Sequence, residues 1–89
     1  MTVRRRLSVR GRVQGVFYRD SVRRVADAHG VAGSATNLPD GSGEVVLEGP
    51  RQPVEELIAY CADGPERAVV SRVETFEEEP RGETGFRIG

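Results

Sequence analysis

Arg19 is the side chain in this sequence best placed to act on an anion, because of what precedes it. It closes the stretch Gly11-Arg-Val-Gln-Gly-Val-Phe-Tyr-Arg19, which begins where an apolar strand pattern ends and finishes where an amphipathic helix pattern begins. Glycine at 11 and 15 lets a backbone turn tightly and approach a ligand closely. The helix that follows starts with unpaired amide hydrogens, so its first turn carries partial positive charge. A turn of free amides beside a guanidinium suits a tetrahedral oxyanion such as phosphate. The pattern is neither of the common nucleotide loops. The dinucleotide fingerprint needs three glycines at other spacings, and the Gly-Lys-Ser/Thr ending of the phosphate loop is absent. From the residues alone, an anion site and a plain structural turn with a surface arginine both fit.

The elements that must position this stretch follow from apolar spacing. Residues 3–13 predict a strand in which Leu7, Val9 and Val13 share one parity, with Gly11 on the same inward face. A glycine there leaves room for something packed above it, or marks a bulge. Residues 18–29 predict a helix with Val22, Val25, Ala26 and His29 as its buried stripe and Gly30 as its C-cap. His29 is expected to be structural, since no Ser, Cys or Asp partner stands at a suitable spacing. Residues 31–37 and 43–49 predict two strands around the hairpin signal Asn37-Leu-Pro-Asp-Gly-Ser42, where Asn37 also suits ordinary turn chemistry.

Pro53 predicts the first residue of a second helix, with Glu55 and Glu56 in its first turn. Its buried stripe is Val54, Leu57, Ile58 and Cys61, and Gly64-Pro65 ends it. Cys61 is therefore expected in the core rather than as a nucleophile. Residues 68–76 predict a strand in which Val70 and Val73 differ in parity, which implies a bulge or a two-sided strand. Glu77-Glu78-Glu79-Pro80 is expected as a solvated loop, and Phe86 with Ile88 as a short last strand. The order βαββαβ favours an α+β ferredoxin-like sandwich, an antiparallel sheet with both helices on one face.

Eighty-nine residues imply one small domain, residues 1–89, with a modest core. Hydrophobic content of 37% and charge of 30% fit a globular chain rather than a disordered one. One cysteine excludes an internal disulfide, and with one histidine it offers no ordinary zinc site. No apolar run approaches a membrane span and no secretory leader opens the chain, so a cytoplasmic location is the default expectation. The net charge of −1 hides an asymmetry: residues 1–30 hold eight arginines against Asp20 and Asp27, and the rest holds five against twelve acids. That basic third surrounds the proposed anion loop, although Arg4, Arg5 and Arg6 also suit a solvated edge. There is no lysine, a fact without a mechanistic account.

Val9-x-Gly11-x-Val13-Gln14-Gly15-Val16-x-Tyr18-Arg19 resembles the first signature of the acylphosphatase family, and Gly33-x-Ala35-x-Asn37-x-x-Asp40-Gly41 resembles its second. Gly85-Phe86-x-Ile88 is similar to its last strand, so the likeness runs from about Leu7 to Ile88. The sequence departs from the family's commoner residues at Tyr18, Ser34, Thr36 and Gly43. The resemblance implies the ferredoxin-like fold and hydrolysis of the carboxyl-phosphate bond of a small acyl phosphate, giving a carboxylate and inorganic phosphate. It implies that Gln14, Gly15, Val16, Phe17 and Tyr18 hold the phosphate through backbone amides. Arg19 matches the phosphate-binding arginine, and Asn37 matches the asparagine that positions the attacking water. No metal or cofactor is implied, and a monomer without nucleic-acid or membrane partners is expected.

The chemistry agrees with those roles. A carboxylate is a good leaving group, and phosphoryl transfer through a loose transition state asks mainly for positioning and electrostatics. Fixed amides and a permanently charged, forked guanidinium supply both. Asparagine accepts from water and donates to a neighbour without being a strong base. Two rivals remain. Ferredoxin-like sheets also bind RNA by stacking bases on strand aromatics, but the five aromatics here form no such signature. A catalytically weak domain handling carbamoyl phosphate, as in larger carbamoyl-transfer proteins, is the other.

Overall fold

The computed structural model describes every residue from Met1 to Gly89. The elements follow as β1 (Thr2–Arg12), α1 (Tyr18–His29), β2 (Ala32–Asn37), β3 (Gly43–Pro50), α2 (Arg51–Asp63), β4 (Val69–Glu78) and β5 (Phe86–Ile88). Alternation along β1 buries Val3, Leu7 and Val9 on one face, where they meet Val22 and Ala26 of α1 and Val54, Leu57 and Cys61 of α2. The two helices also touch each other, so both lie on that face of a ferredoxin-like α+β sandwich. Neither helix is long and apolar enough to cross a membrane.

The sheet order is β4-β1-β3-β2-β5. The pairings β1–β3, β1–β4 and β2–β3 are antiparallel, as the βαββαβ pattern predicts. β5 instead pairs in parallel with β2, through Gly33↔Phe86, Ser34↔Arg87 and Ala35↔Ile88, which makes the sheet mixed rather than purely antiparallel. The cause is topological. After β4 the chain turns back and crosses to the far edge, so β5 runs opposite to β4 and therefore along β2.

Local departures from the expected pattern have local reasons. α2 begins at Arg51 with Pro50 as its N-cap, so Pro53 is its third residue and Glu55 and Glu56 lie beyond the first turn. Proline is tolerated there because the first amides of a helix lack partners in any case. The buried face of α1 is Tyr18, Val22 and Ala26, spaced by four; His29 lies outside it, exposed, with Nδ1 2.8 Å from the Val25 carbonyl oxygen. The β1–β4 register slips from Arg10↔Arg72 to Gly11↔Val70, leaving Ser71 as the extra residue of a bulge. This is the parity change seen between Val70 and Val73. Gly11 has φ 126, and a Cβ there would run into the Val69 carbonyl oxygen.

The open face of the sheet is not a simple solvated surface. Arg4, expected in a solvated edge, is only 6% exposed. Its guanidinium meets Glu48 at 3.1 Å and Glu78 at 3.0 Å. Glu78, expected in a solvated loop, belongs to β4 and also pairs with Arg6 at 3.0 Å. The charge pattern misled because the chain returning from β4 to β5 passes over this end of the sheet. Glu48 catches it, accepting the N–H groups of Arg81 at 2.9 Å, Gly82 at 2.8 Å and Glu83 at 2.9 Å.

Candidate active site

The loop between β1 and α1 has a conformation that its residue types only partly announce. Gly15 has φ 74, a value glycine adopts freely. Phe17, the N-cap of α1, also takes left-handed values, φ 58 and ψ 25, and the residue is 76% exposed. A bulky residue there is a conformational outlier of a kind that clusters at binding sites. The backbone N–H groups of Gln14, Gly15, Val16, Phe17, Tyr18 and Arg19 find no acceptor within the chain. Six consecutive donors are thus free at the positive end of a twelve-residue helix.

The loop is tied from outside. Gln14 Nε2 donates to the Leu38 carbonyl at 2.8 Å and the Ser42 carbonyl at 3.0 Å, which fixes it to the β2–β3 hairpin. Within the hairpin, Asp40 Oδ1 accepts the Ser42 amide at 2.9 Å, and Gly41 takes φ 91. Tyr18 points into the core, where its hydroxyl donates to the Cys61 carbonyl at 2.7 Å. Burial pushes the Tyr18 phenol up and the Cys61 thiol up to about 12, so neither is a nucleophile at neutral pH. Cys61 is a core residue, as its place in the α2 stripe predicts.

A cleft of about 310 Å³ opens beside the loop, lined by Val13, Gly15, Phe17, Tyr18, Arg19, Asp20 and Ile88. Arg19 projects from the first turn of α1 and donates through a guanidinium nitrogen to the main-chain oxygen of Gly89. The backbone N–H of Asn37 donates to the same oxygen at 3.4 Å; its side chain makes no hydrogen bond and does not line this cleft. The Arg19 guanidinium and the Asn37 backbone therefore share one acceptor just past the end of β5, although 18 positions apart in sequence. Gln14 and Val16 do not line this cleft: the Gln14 side chain is spent on the hairpin and Val16 is buried.

Two participants, Asp20 and Gly89, lie outside the motifs, and a third, Ile88, belongs to the last-strand motif without having been expected at the cleft. Asp20 lines the cleft, and its carboxylate is offset by Arg23 at 2.7 Å and Arg24 at 3.0 Å. Its first-turn position was the available signal. Ile88 and Gly89 arrive through the parallel pairing of β5, which no local pattern announces.

Acylphosphatase is the family model that matches, over residues 5–88. The chain belongs to the acylphosphatase family. It is 51% identical over 89 residues to the acylphosphatase of Rubrobacter xylanophilus, covering 98% of this chain and 80% of that protein. The structure superposes on an acylphosphatase from Coxiella burnetii with a TM-score of 0.94 at 34% identity, covering 99% of this chain and 93% of the other. It superposes equally well, TM-score 0.94 at 31% identity, on the acylphosphatase from Bacillus subtilis, covering 100% of this chain and 99% of that one. Membership in the acylphosphatase family makes the chain a hydrolase.

Proposed function

We propose that this hydrolase cleaves the carboxyl-phosphate bond of small acyl phosphates. Water attacks phosphorus, the bond between phosphorus and the acyl oxygen breaks, and carboxylate and inorganic phosphate leave with the water's protons. The amides of Gln14, Gly15, Val16, Phe17 and Tyr18, with the Arg19 guanidinium, hold the phosphate. Asn37 positions the water. The observation that carries this reading is the set of unpaired amides from Gln14 to Arg19 beside a guanidinium that has no Asp or Glu partner and whose one hydrogen bond is to the Gly89 main-chain oxygen. Such an array is fixed before substrate arrives, so it needs no reorganisation as charge spreads over the equatorial oxygens. In the same reading the enzyme works as a cytoplasmic monomer without nucleic acid, where the buried Cys61 stays a thiol.

The test is hydrolysis of benzoyl phosphate, followed by loss of its ultraviolet absorbance, together with phosphate binding. Arg19→Ala is expected to abolish both turnover and phosphate binding, since losing one preorganised donor alone costs about 10²–10³ in rate. Asn37→Ala is expected to abolish turnover while phosphate affinity stays nearly intact. Equal loss of phosphate binding in both variants contradicts this division of labour.

A further inference from the structure

Eight of the thirteen arginines have an Asp or Glu carboxylate within salt-bridge distance; Arg5, Arg12, Arg19, Arg67 and Arg81 do not. Three of these five converge on one end of the sheet. Arg19 lines the phosphate cleft. Arg12 and Arg67 line a second cleft of about 370 Å³ with Gly15, Val16 and Phe17. Topology puts them there: Arg12 is the last residue of β1 and pairs with Val69, and Arg67 lies two residues before Val69. Neither guanidinium makes a hydrogen bond within the protein; both are free for a ligand.

The two clefts share a wall. Gly15 and Phe17 line both, and Phe17 is the exposed residue held in left-handed backbone. A molecule whose phosphate sits at Arg19 would cross that wall to reach Arg12 and Arg67. Glycine leaves the crossing low, and the aromatic ring offers an apolar surface to a short carbon chain. Beyond it stand two unneutralised, planar, forked cations, the arrangement that suits a carboxylate or phosphate oxygen pair.

Resting on the proposed acyl-phosphate hydrolysis, we propose that the second cleft is an acyl-side subsite. It takes acyl phosphates whose acyl group carries its own anionic end, a carboxylate or phosphate, which Arg12 and Arg67 bind. The phosphoryl transfer itself is unchanged; the subsite selects among substrates.

The test compares three substrates of similar length by phosphate release: neutral hexanoyl phosphate, adipoyl monophosphate with a terminal carboxylate, and 5-phosphonopentanoyl phosphate with a terminal phosphonate. The expected result is a kcat/KM about tenfold higher for at least one anionic-tailed substrate than for the neutral one. Which of the two is preferred tells carboxylate from phosphate. Arg12→Gln and Arg67→Gln are each expected to shrink that ratio, and the double variant to bring it near one. Arg51→Gln removes the same charge at the opposite end of the sheet, beside Pro50↔Thr2, and is expected to leave the ratio in place. No preference for either tail overturns the subsite, as does a preference that survives the double substitution or falls equally in Arg51→Gln. Failure to hydrolyse any of the three overturns the acyl-phosphate reading and the subsite with it.

Discussion

Gln14 holds the loop with one side-chain nitrogen shared between two hairpin carbonyls. Those carbonyls have other partners too, since Leu38 oxygen accepts the Gly41 amide at 3.1 Å and Ser42 oxygen accepts the Leu38 amide at 2.9 Å. Removing the side chain therefore strands no buried acceptor. Gln14→Leu is expected to cost about 1–2 kcal/mol in a urea titration, the net worth of two hydrogen bonds. Its larger effect falls on position. A loop displaced by about 1 Å loses up to roughly a hundredfold in rate. Turnover of benzoyl phosphate per folded molecule is expected to drop at least about tenfold. Unchanged turnover would show that the glycine-bracketed loop holds its shape unaided. At this scale much was legible: Gly15, Gln14 and Arg19 stand out by type and order. Phe17 was not, because left-handed backbone is announced by glycine or asparagine and a phenylalanine gives no such sign. Gly89 was not either, since nothing in its neighbours tells which side chain it will meet.

At the scale of elements, strand β5 reaches the cleft only because the chain crosses the sheet, and Glu48 of β3 is the post to which that crossing is tied. Burial of Glu48, which is 4% exposed, favours its neutral form. The amides of Arg81, Glu83 and Gly82 and the Arg4 guanidinium outweigh burial and hold its carboxyl at about 2, against an ordinary value of 4.5. Because the folded value lies below the unfolded one, the stabilisation is complete above about pH 4.5 and is lost as pH falls through about 2. Glu78 is held low by hydrogen bonds from Arg4 and Arg6 and titrates on the same limb. Glu48→Gln is expected to cost about 1–3 kcal/mol at pH 7, the worth of charged hydrogen bonds lost while Arg4 keeps Glu78 as a partner, and to flatten the acid limb between pH 4.5 and 2. Urea midpoints across that range check both. An acid limb as steep as in the unsubstituted protein would move the weight to Glu78. The strands and helices themselves were legible from spacing. The covered face was not: alternation says which residues leave the core, not what passes over them afterwards.

Across the whole molecule, the excess of arginine in the first thirty residues and of acid in the rest is in part an internal match: three of the eight early arginines pair with later acids. Arg4 pairs with Glu48 and Glu78, Arg6 with Glu78, and Arg10 with Asp40, each joining the N-terminal strand to a later element. Counting charges along the chain showed the asymmetry and hid the pairing, because pairing depends on sheet order. What remains unmatched near the loop is Arg12, Arg19 and Arg67, within a protein whose net charge is −1. The molecule as a whole therefore does not draw anions; a short-range positive field at one end of the sheet does. Such a field acts over about 10 Å at 0.1 M salt and about 3 Å at 1 M. The kcat/KM for an acyl phosphate is accordingly expected to fall several-fold between about 0.02 M and 0.5 M sodium chloride. The saturated rate is expected to change less, since substrate already in the cleft is shielded from mobile ions. The buried Arg4–Glu48 pair is also screened little, so the urea midpoint is expected to move less than kcat/KM over the same range. A kcat/KM flat across that range would mean that these three guanidiniums act only on contact, holding an anion that diffusion alone has delivered.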